Sequence, residues 1–175
     1  MSRLSKAEIE NALRELGQAA LADGTHIRLL VVGGAAMTLG FGSRESTYDI
    51  DSVFLEPADS SHIRRLVAGV GSNLGLPDGW LNDAAKAYVR PPVQETVILR
   101  APGIEVAMPS VVQLAAMKLS AWRDDLDISD AELLVRKLRD AGMSREAAWS
   151  AMLPYLEPGA ELKAKYALED LWETL

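Results

Sequence analysis

Residues 31–54, VVGGAAMTLGFGSRESTYDIDSVF, are the stretch that decides how this chain folds. An apolar run stops at Gly33 and Gly34, and a second apolar run then carries Asp49 and Asp51, two residues apart. A carboxylate within a buried strand costs free energy unless a cation meets it. We therefore expect a positively charged partner beside these two aspartates.

The spacing of the two aspartates predicts that they share one site. Residues 47–55, TYDIDSVFL, have the character of a strand, and side chains at i and i+2 of a strand face the same side, roughly 6.5 Å apart at their Cα atoms. Two such carboxylates repel each other unless they are protonated or bridged by cations. Because Mg²⁺ takes hard oxygen ligands and shares them with phosphates, we expect Mg²⁺, or Mn²⁺ in its place, at Asp49 and Asp51.

The residues between the two apolar runs predict a phosphate site. A strand that ends at two glycines and opens a short helix brings backbone N–H groups close to a ligand, and a helix N-terminus favours an anion. Further phosphate donors in this stretch are Ser43, Arg44, Ser46 and Thr47. Each motif alone has a structural explanation: two glycines can simply form a turn, and an Asp-x-Asp can lie on a solvent-exposed strand face or protect an edge strand from pairing with another chain. Taken together, the motifs indicate nucleotidyl or phosphoryl transfer.

Hydrophobic periodicity predicts mixed α and β structure up to residue 108. Residues 27–32, IRLLVV, read as a strand buried on both faces. The other predicted elements are a helix from a capping box at Ser5 and Glu8 to about Ala22, a short helix at 35–41, the strand at 47–55, a helix from Asp59 or Ser60 to residue 74, and two strands within 96–109. Residues 75–92 are rich in turn residues and receive no assignment.

From Pro109 onward the sequence predicts only helices. Pro109 suits a first helical turn. Further helices are expected over 131–142, with Ser129 and Glu132 as a potential capping box, from Ser144, and over 161–175. The expected fold is α/β (α+β), a small mixed β-sheet flanked by helices, as a core over 1–107 with a helical C-terminal subdomain over 108–175 packed on it.

Composition narrows the possible functions. The 175 residues carry a net charge of −7, which argues against broad nonspecific binding to nucleic acid. The absence of cysteine excludes disulfides and thiolate sites, and His26 and His62 are too far apart in the chain to indicate a histidine metal site. No apolar stretch approaches 18 residues, so we expect no membrane span and a cytoplasmic protein.

The order of the motifs resembles a known family. The glycines at 33–34 followed by RESTYDID at 44–51 are similar to the polymerase-β-type nucleotidyltransferase superfamily, and most of all to its bacterial branch of AbiEii-type abortive-infection and toxin–antitoxin nucleotidyltransferases. That branch carries a later helical block with a Lys and Arg-Asp-x-x-Asp-like residues, which residues 109–134 resemble. The resemblance covers roughly residues 29–140.

The resemblance implies Mg²⁺-dependent transfer of a nucleoside monophosphate from an NTP to an RNA, protein or small-molecule acceptor. It implies a nucleotidyltransferase-like core and, as partners, a tRNA or protein acceptor and an antitoxin protein. The implied metal ligands are Asp49 and Asp51, with Glu105 as the best-placed third carboxylate. The implied phosphate-binding residues are Gly33, Gly34, Arg44 and Thr47. The implied catalytic residues are Asp49, Asp51, Lys118 and Asp127.

Departures from the superfamily pattern keep a second interpretation open. Gly34 stands where the superfamily usually has a serine, and Glu105 can equally be read as an exposed strand residue. These departures favour a catalytically degenerate module that binds nucleotide or another protein. Lys118 lies on an apolar helix face, where a lysine usually extends its ammonium group to solvent, and Asp127 lies where carboxylates serve as helix caps.

Overall fold

Residues 3–175 are described in a computed structural model, and the chain divides into two units. The first unit consists of Met1–Ala87 with Glu95–Pro109, and the second of Tyr88–Gln94 with Ser110–Leu175. The mixed α/β fold class is confirmed, since the first unit contains a mixed sheet with helices and the second contains helices. The domain assignment, 1–107 and 108–175, stays a prediction.

Strands and helices are interspersed along the first unit. In chain order they are β1 (Leu4–Ser5), α1 (Lys6–Ala22), β2 (Ile27–Val31), α2 (Gly33–Ala36), β3 (Ser46–Thr47), β4 (Ile50–Glu56), α3 (Ser60–Leu74), β5 (Leu81–Asn82), β6 (Glu95–Ala101) and β7 (Ile104–Pro109). The segment Met37–Phe41 continues α2 as a π-helix, and the 3₁₀-helix Ala84–Ala87 follows β5. The helix predicted at 35–41 therefore begins at the glycines themselves.

The main sheet has the strand order β5-β4-β2-β7-β6. The central strand β2 runs parallel to β7 and antiparallel to β4, while β5 is parallel to β4 and β6 is antiparallel to β7. Four of the five residues of β2 are buried, which confirms the interpretation of IRLLVV as a strand covered on both faces. A separate small sheet pairs β1 with β3.

Helix α1 packs on the sheet, as its apolar stripe predicts. The capping box is present: Ser5 Oγ accepts from the Glu8 N–H group, and the Glu8 carboxylate accepts from the Ser5 N–H group at 2.8 Å. The helix contacts β7 and α3. At Gly17 it comes so close to the β6–β7 turn that a Cβ atom would lie 2.6 Å from Ile104 Cγ2. A glycine at this position is what permits the close approach.

The strand that carries the aspartates begins later than predicted. Thr47 belongs to β3 and pairs with Leu4, whereas β4 starts at Ile50, whose N–H group donates to Trp80 C=O at 2.8 Å. The chain bends between these two pairings because it leaves one sheet and joins the other. Asp51 is therefore a strand residue, and Asp49 directly precedes the strand.

The second unit is built from helices. They are α4 (Val111–Ala121), α5 (Asp125–Asp140), α6 (Arg145–Met152) and α7 (Glu161–Thr174), with the 3₁₀ segment Leu153–Tyr155 after α6. Helix α4 contacts each of the other three. Within residues 3–175, no helix combines the length and apolar character that crossing a membrane requires.

Two helix starts in this part of the chain differ from the prediction. Pro109 is the last residue of β7 rather than the first turn of a helix, and α4 is capped by the Ser110 hydroxyl, which accepts from Gln113 N–H. Helix α5 begins well before Ser129, because the Asp124 carboxylate accepts from Asp127 N–H at 2.9 Å and caps the helix there. The sequence DDLD offers several acidic caps, and periodicity does not choose among them.

Gly17→Ala should destabilise the first unit, because the added methyl group would overlap Pro102 O and the Ile104 side chain. We expect the free energy of unfolding, measured by urea denaturation, to fall by about 1–3 kcal/mol, the range for overpacked sites. Gly69→Ala is the matched control: a Cβ atom there would meet nothing within 4 Å, so helix propensity should raise stability by up to about 1 kcal/mol. Equal effects of the two substitutions would contradict the close packing of α1.

Candidate active site

Strand β2 ends at a glycine turn that faces Asp51. The N–H group of Val32 donates to Asp51 C=O at 3.0 Å, which extends the pairing of β2 and β4 by one residue. Gly33 then has a φ of +58°, in the left-handed region that glycine enters without strain. A Cβ atom on Gly33 would lie 3.5 Å from Asp51 Oδ2. The Asp51 carboxylate therefore lies against the backbone of this turn.

Gly34 is required by the closeness of its neighbours. A Cβ atom at this position would lie 2.5 Å from Thr47 Oγ1 and 3.3 Å from Arg44 Nη1. Thr47 is held in place because it pairs with Leu4 in the small sheet. The hydroxyl group of Thr47 and the guanidinium group of Arg44 thus meet at the backbone of Gly34. The structure brings together all four residues predicted to bind phosphate; that function stays a prediction.

The two predicted metal ligands lie at the edge of this turn. Asp49 and Asp51 are both half-buried. Burial raises the pKa of Asp49, and the negative charge of Asp51 raises it further, while a hydrogen bond from the Asn82 amide acts in the opposite direction. Two like charges are therefore held in a partly desolvated place, an arrangement that a divalent cation would relieve.

The donor set fits Mg²⁺ or Mn²⁺ that is shared with a phosphate ligand. Asp49 and Asp51 supply hard carboxylate oxygens, which these ions prefer. Within residues 3–175, no group of three or more His, Cys, Asp or Glu side chains is placed to hold a metal ion. Mg²⁺ sites commonly have one or two protein carboxylates, with substrate phosphates and water as the remaining ligands. The residues present therefore fit such a site without a third protein carboxylate.

The structure places Glu105, the predicted third carboxylate, away from Asp49 and Asp51. It pairs in register with Arg28, three residues before Val31, which faces Ser52 beside Asp51; three residues of strand correspond to roughly 10 Å. Glu105 accepts hydrogen bonds from Arg100 at 2.9 Å and from Arg28 at 3.3 Å. The contact with Arg100, more than that with Arg28, lowers the pKa of Glu105. Its carboxylate belongs to an ion-pair network at the other end of the strands.

Lys118 and Asp127 lie in the second unit and bind each other there. Lys118 Nζ lies 2.8 Å from Asp127 Oδ1 and 2.8 Å from Asp130 Oδ2. The Lys118 side chain is 11% exposed and those of the two aspartates are 4% and 3% exposed. Lys118 therefore does not extend to solvent but joins helices α4 and α5 from within. Asp130, which the prediction left out of the site, belongs to the same cluster.

The ion pairs decide the charge state of Asp127. Burial alone would raise the pKa of this carboxyl, but hydrogen bonds from Lys118 and Arg123 outweigh it and lower the pKa below its usual value. Since Asp124 is the N-cap of α5, Asp127 is also not the capping residue. The cluster is thus a buried cation held by carboxylates, and a catalytic function for Lys118 and Asp127 stays a prediction.

Asn82 is a residue of the site that the sequence did not reveal. It lies in β5, directly opposite Asp51 in the parallel pair, and its Nδ2 atom donates to Asp49 Oδ2 at 3.4 Å. A two-residue strand has no periodicity to detect, so the sequence of residues 75–92 predicts no strand there. The only available signal was topological, since a helix that follows one strand returns the chain to a neighbouring parallel strand.

Lys118→Met should strongly destabilise the second unit at pH 7, because it leaves the buried carboxylates of Asp127 and Asp130 without the ammonium group between them. Removal of one partner of a buried pair costs about 3–5 kcal/mol. The loss should shrink at low pH: the folded pKa of Asp127 is lowered, so its stabilising contribution is present above the unfolded pKa of about 3.9 and disappears as the pH falls through the folded pKa.

Urea denaturation at pH 7 and at pH 3 measures both parts of this prediction. Lys165→Met is the matched control, because Lys165 is exposed on α7 and its substitution should change stability by no more than about 0.5 kcal/mol. A Lys118→Met variant as stable as the control at pH 7 would show that the ion pairs do not hold the two helices together.

Comparison with known protein families assigns the chain to a family. Residues 8–140 match the model of a family described as "nucleotidyltransferase of unknown function (DUF6036)". The match spans most of the chain and includes the glycine turn, Asp49, Asp51 and the Lys118 cluster. A comparison with curated proteins gives no match. Because the family model matches more than half of its residues, the chain belongs to this family of nucleotidyltransferases.

Proposed function

We propose that this protein is a Mg²⁺-dependent nucleotidyltransferase that transfers a nucleoside monophosphate from an NTP to an acceptor. The observation that supports the proposal is the pair of half-buried carboxylates, Asp49 and Asp51, beside a glycine turn where Thr47 and Arg44 meet. A divalent cation bound between these two carboxylates would relieve their mutual repulsion.

Each residue of the site has a task in this reaction. Mg²⁺, or Mn²⁺ in its place, supplies Lewis-acid stabilisation of the reacting phosphates when Asp49 and Asp51 hold it. The Thr47 hydroxyl and the backbone at Gly34 bind phosphate oxygens. The acceptor nucleophile forms a bond to the α-phosphorus of the NTP while the bond to pyrophosphate breaks. Arg44 offsets the negative charge that develops on the leaving pyrophosphate.

The proposal extends to Lys118 and Asp127. Lys118 would neutralise developing phosphate charge, and Asp127, which holds its ammonium group at 2.8 Å, would orient it. Since Asp130 also binds Lys118 at 2.8 Å, the lysine would have to exchange a carboxylate for a phosphate oxygen. Its contribution would then depend on the charges of both aspartates.

The acceptor and the biological function rest on the AbiEii-like resemblance of residues 29–140. The proposed acceptor is an RNA such as tRNA, a protein or a small molecule, and the proposed biological function is that of a toxin that a neighbouring antitoxin protein neutralises. Because NTPs and these acceptors are found in the cytoplasm, we expect the protein to act there. An RNA acceptor would need a local basic patch on a chain whose net charge is −7.

A second candidate function is a catalytically degenerate module that binds nucleotide or another protein. Two observations favour it: Gly34 lacks the hydroxyl group of the usual serine, and no third carboxylate joins Asp49 and Asp51 within residues 3–175. Calorimetric titration with each NTP, with and without Mg²⁺, separates the two candidates. Nucleotide binding without turnover would favour the module.

Transfer of the nucleotide is tested with two radioactive labels. The protein is incubated with Mg²⁺, cellular RNA or protein, and NTPs labelled at either the α- or the γ-phosphate. The α-label should enter the acceptor and the γ-label should leave with pyrophosphate. Asp49→Ala/Asp51→Ala should lower the rate by about 100-fold or more, because a lost catalytic metal contributes several kcal/mol.

The matched control for this experiment is Asp78→Ala/Asp140→Ala, which removes two exposed carboxylates and the same net charge. It should label the acceptor as the unsubstituted protein does. Equal labelling by Asp49→Ala/Asp51→Ala would refute the assigned site. Incorporation of the γ-label would indicate a kinase-type reaction instead.

The proposed toxin activity predicts slowed growth when the protein is produced without its partner. Cells that carry the gene under an inducible promoter should grow more slowly, whereas cells that produce Asp49→Ala/Asp51→Ala at the same level should not. Growth curves with matched protein levels measure the difference. Slowed growth with both variants, or with neither, would count against a catalytic toxin.

A further inference from the structure

Asn82 is held at both of its oxygen atoms. Its backbone C=O group accepts from the Ser52 hydroxyl at 2.7 Å, and Ser52 is completely buried. Its side-chain Oδ1 atom accepts from the N–H group of Ala84 at 3.0 Å, where the 3₁₀-helix Ala84–Ala87 begins. That helix in turn lies against β4. The strand that carries Asp51 therefore holds the backbone of Asn82, and the start of the 3₁₀-helix holds its side chain.

The contact with Ala84 determines which end of the amide faces Asp49. An N–H group needs an acceptor, so Oδ1 must turn towards Ala84. Nδ2 is left to point at Asp49 Oδ2, 3.4 Å away. The opposite orientation would set two donors against each other at Ala84 and two acceptors against each other at Asp49. The network thus presents a hydrogen-bond donor to a carboxylate of the site.

The charge of the Asn82 position matters as much as its geometry. Asn82 is the cross-strand neighbour of Asp51, the place where an acidic side chain would add a third carboxylate to the pair. An amide adds none. Because the affinity of oxygen sites for divalent cations depends on how many charged ligands they contain, two carboxylates alone should bind such an ion weakly until phosphates supply further negative charge.

We propose that Asn82 is a positioning residue that orients Asp49 for metal binding, and that its neutral amide makes tight binding of the metal depend on the nucleotide phosphates. The inference rests on the proposed function, since it concerns the same two aspartates. According to this inference, the metal and the nucleotide bind together, and Asn82 orients the Asp49 carboxylate before they bind.

Mn²⁺ binding tests the inference without any measurement of activity. The probe is Mn²⁺ alone, titrated into the protein and followed by electron paramagnetic resonance, with and without the nonhydrolysable analogue α,β-methylene-ATP. In the unsubstituted protein the analogue should tighten Mn²⁺ binding at least tenfold. Asn82→Ala should weaken this nucleotide-assisted binding by about 10–100-fold, the usual effect of losing a residue that orients a metal ligand.

Asn82→Asp separates orientation from charge. An aspartate keeps an oxygen acceptor for Ala84 N–H and leaves the backbone contact with Ser52 intact, so the variant should fold. It should tighten binding of Mn²⁺ in the absence of nucleotide by about tenfold or more, because the site then has three carboxylates. Asn73→Ala, an exposed substitution on α3, is the matched control and should bind Mn²⁺ like the unsubstituted protein.

The outcomes distinguish this inference from the proposed function. If both Asn82 variants bind Mn²⁺ as the control does, with and without the analogue, Asn82 has no positioning function and the proposed reaction still stands. If the unsubstituted protein binds no Mn²⁺ even with the analogue, the proposed function fails and the inference fails with it. Tight binding of Mn²⁺ to the unsubstituted protein without nucleotide would overturn the dependence on phosphate.

Discussion

The repulsion between the carboxylates of Asp49 and Asp51 is the constraint around which the first unit is arranged. The start of β4 and the residue before it hold the two groups close enough that the charge of Asp51 raises the pKa of Asp49, in a place where burial already raises it. Such a pair opposes folding unless a cation or hydrogen-bond donors compensate for it. The glycine turn after β2 lies against Asp51, and the Asn82 amide of β5 donates a hydrogen bond to Asp49. The proposed metal would compensate for the repulsion that remains.

In the second unit, a lysine of the chain itself neutralises a pair of neighbouring carboxylates. Lys118 lies between Asp127 and Asp130 at 2.8 Å from each, and all three side chains are nearly inaccessible. Such a cluster is weaker evidence for a functional site, because structural ion-pair networks also place charged groups together. The proposed function therefore rests first on Asp49 and Asp51 and only secondarily on Lys118 and Asp127.

Much of the fold could be predicted from local sequence pattern, because the longer helices and strands show a clear hydrophobic pattern over many residues. The capping box at Ser5 and the apolar stripe of α1, and the unbroken apolar run of β2, had one plausible interpretation each. The sequence-based predictions missed or misplaced elements where the local pattern was absent or had several interpretations. The two residues of β5 are too few to show alternation, and the acidic run before α5 offered several caps. Glu105 had the right residue type for a metal ligand, but its neighbours across the sheet, Arg28 and Arg100, were invisible in the sequence.

The sequence by itself determined the fold class and the two aspartates as the candidates for metal binding. Glycines at the end of an apolar strand indicate a turn or a close approach of the backbone, and carboxylates in an apolar strand are costly unless another group compensates for their charge. The sequence also predicted that Gly33, Gly34, Arg44 and Thr47 would lie near the two aspartates, since these residues belong to the connection between the two apolar strands. Only the tertiary structure decided which residue stands across from Asp51, and whether Lys118 and Glu105 already have partners. Those questions depend on strand order and register, which bring together residues far apart in the chain and leave no mark on local periodicity.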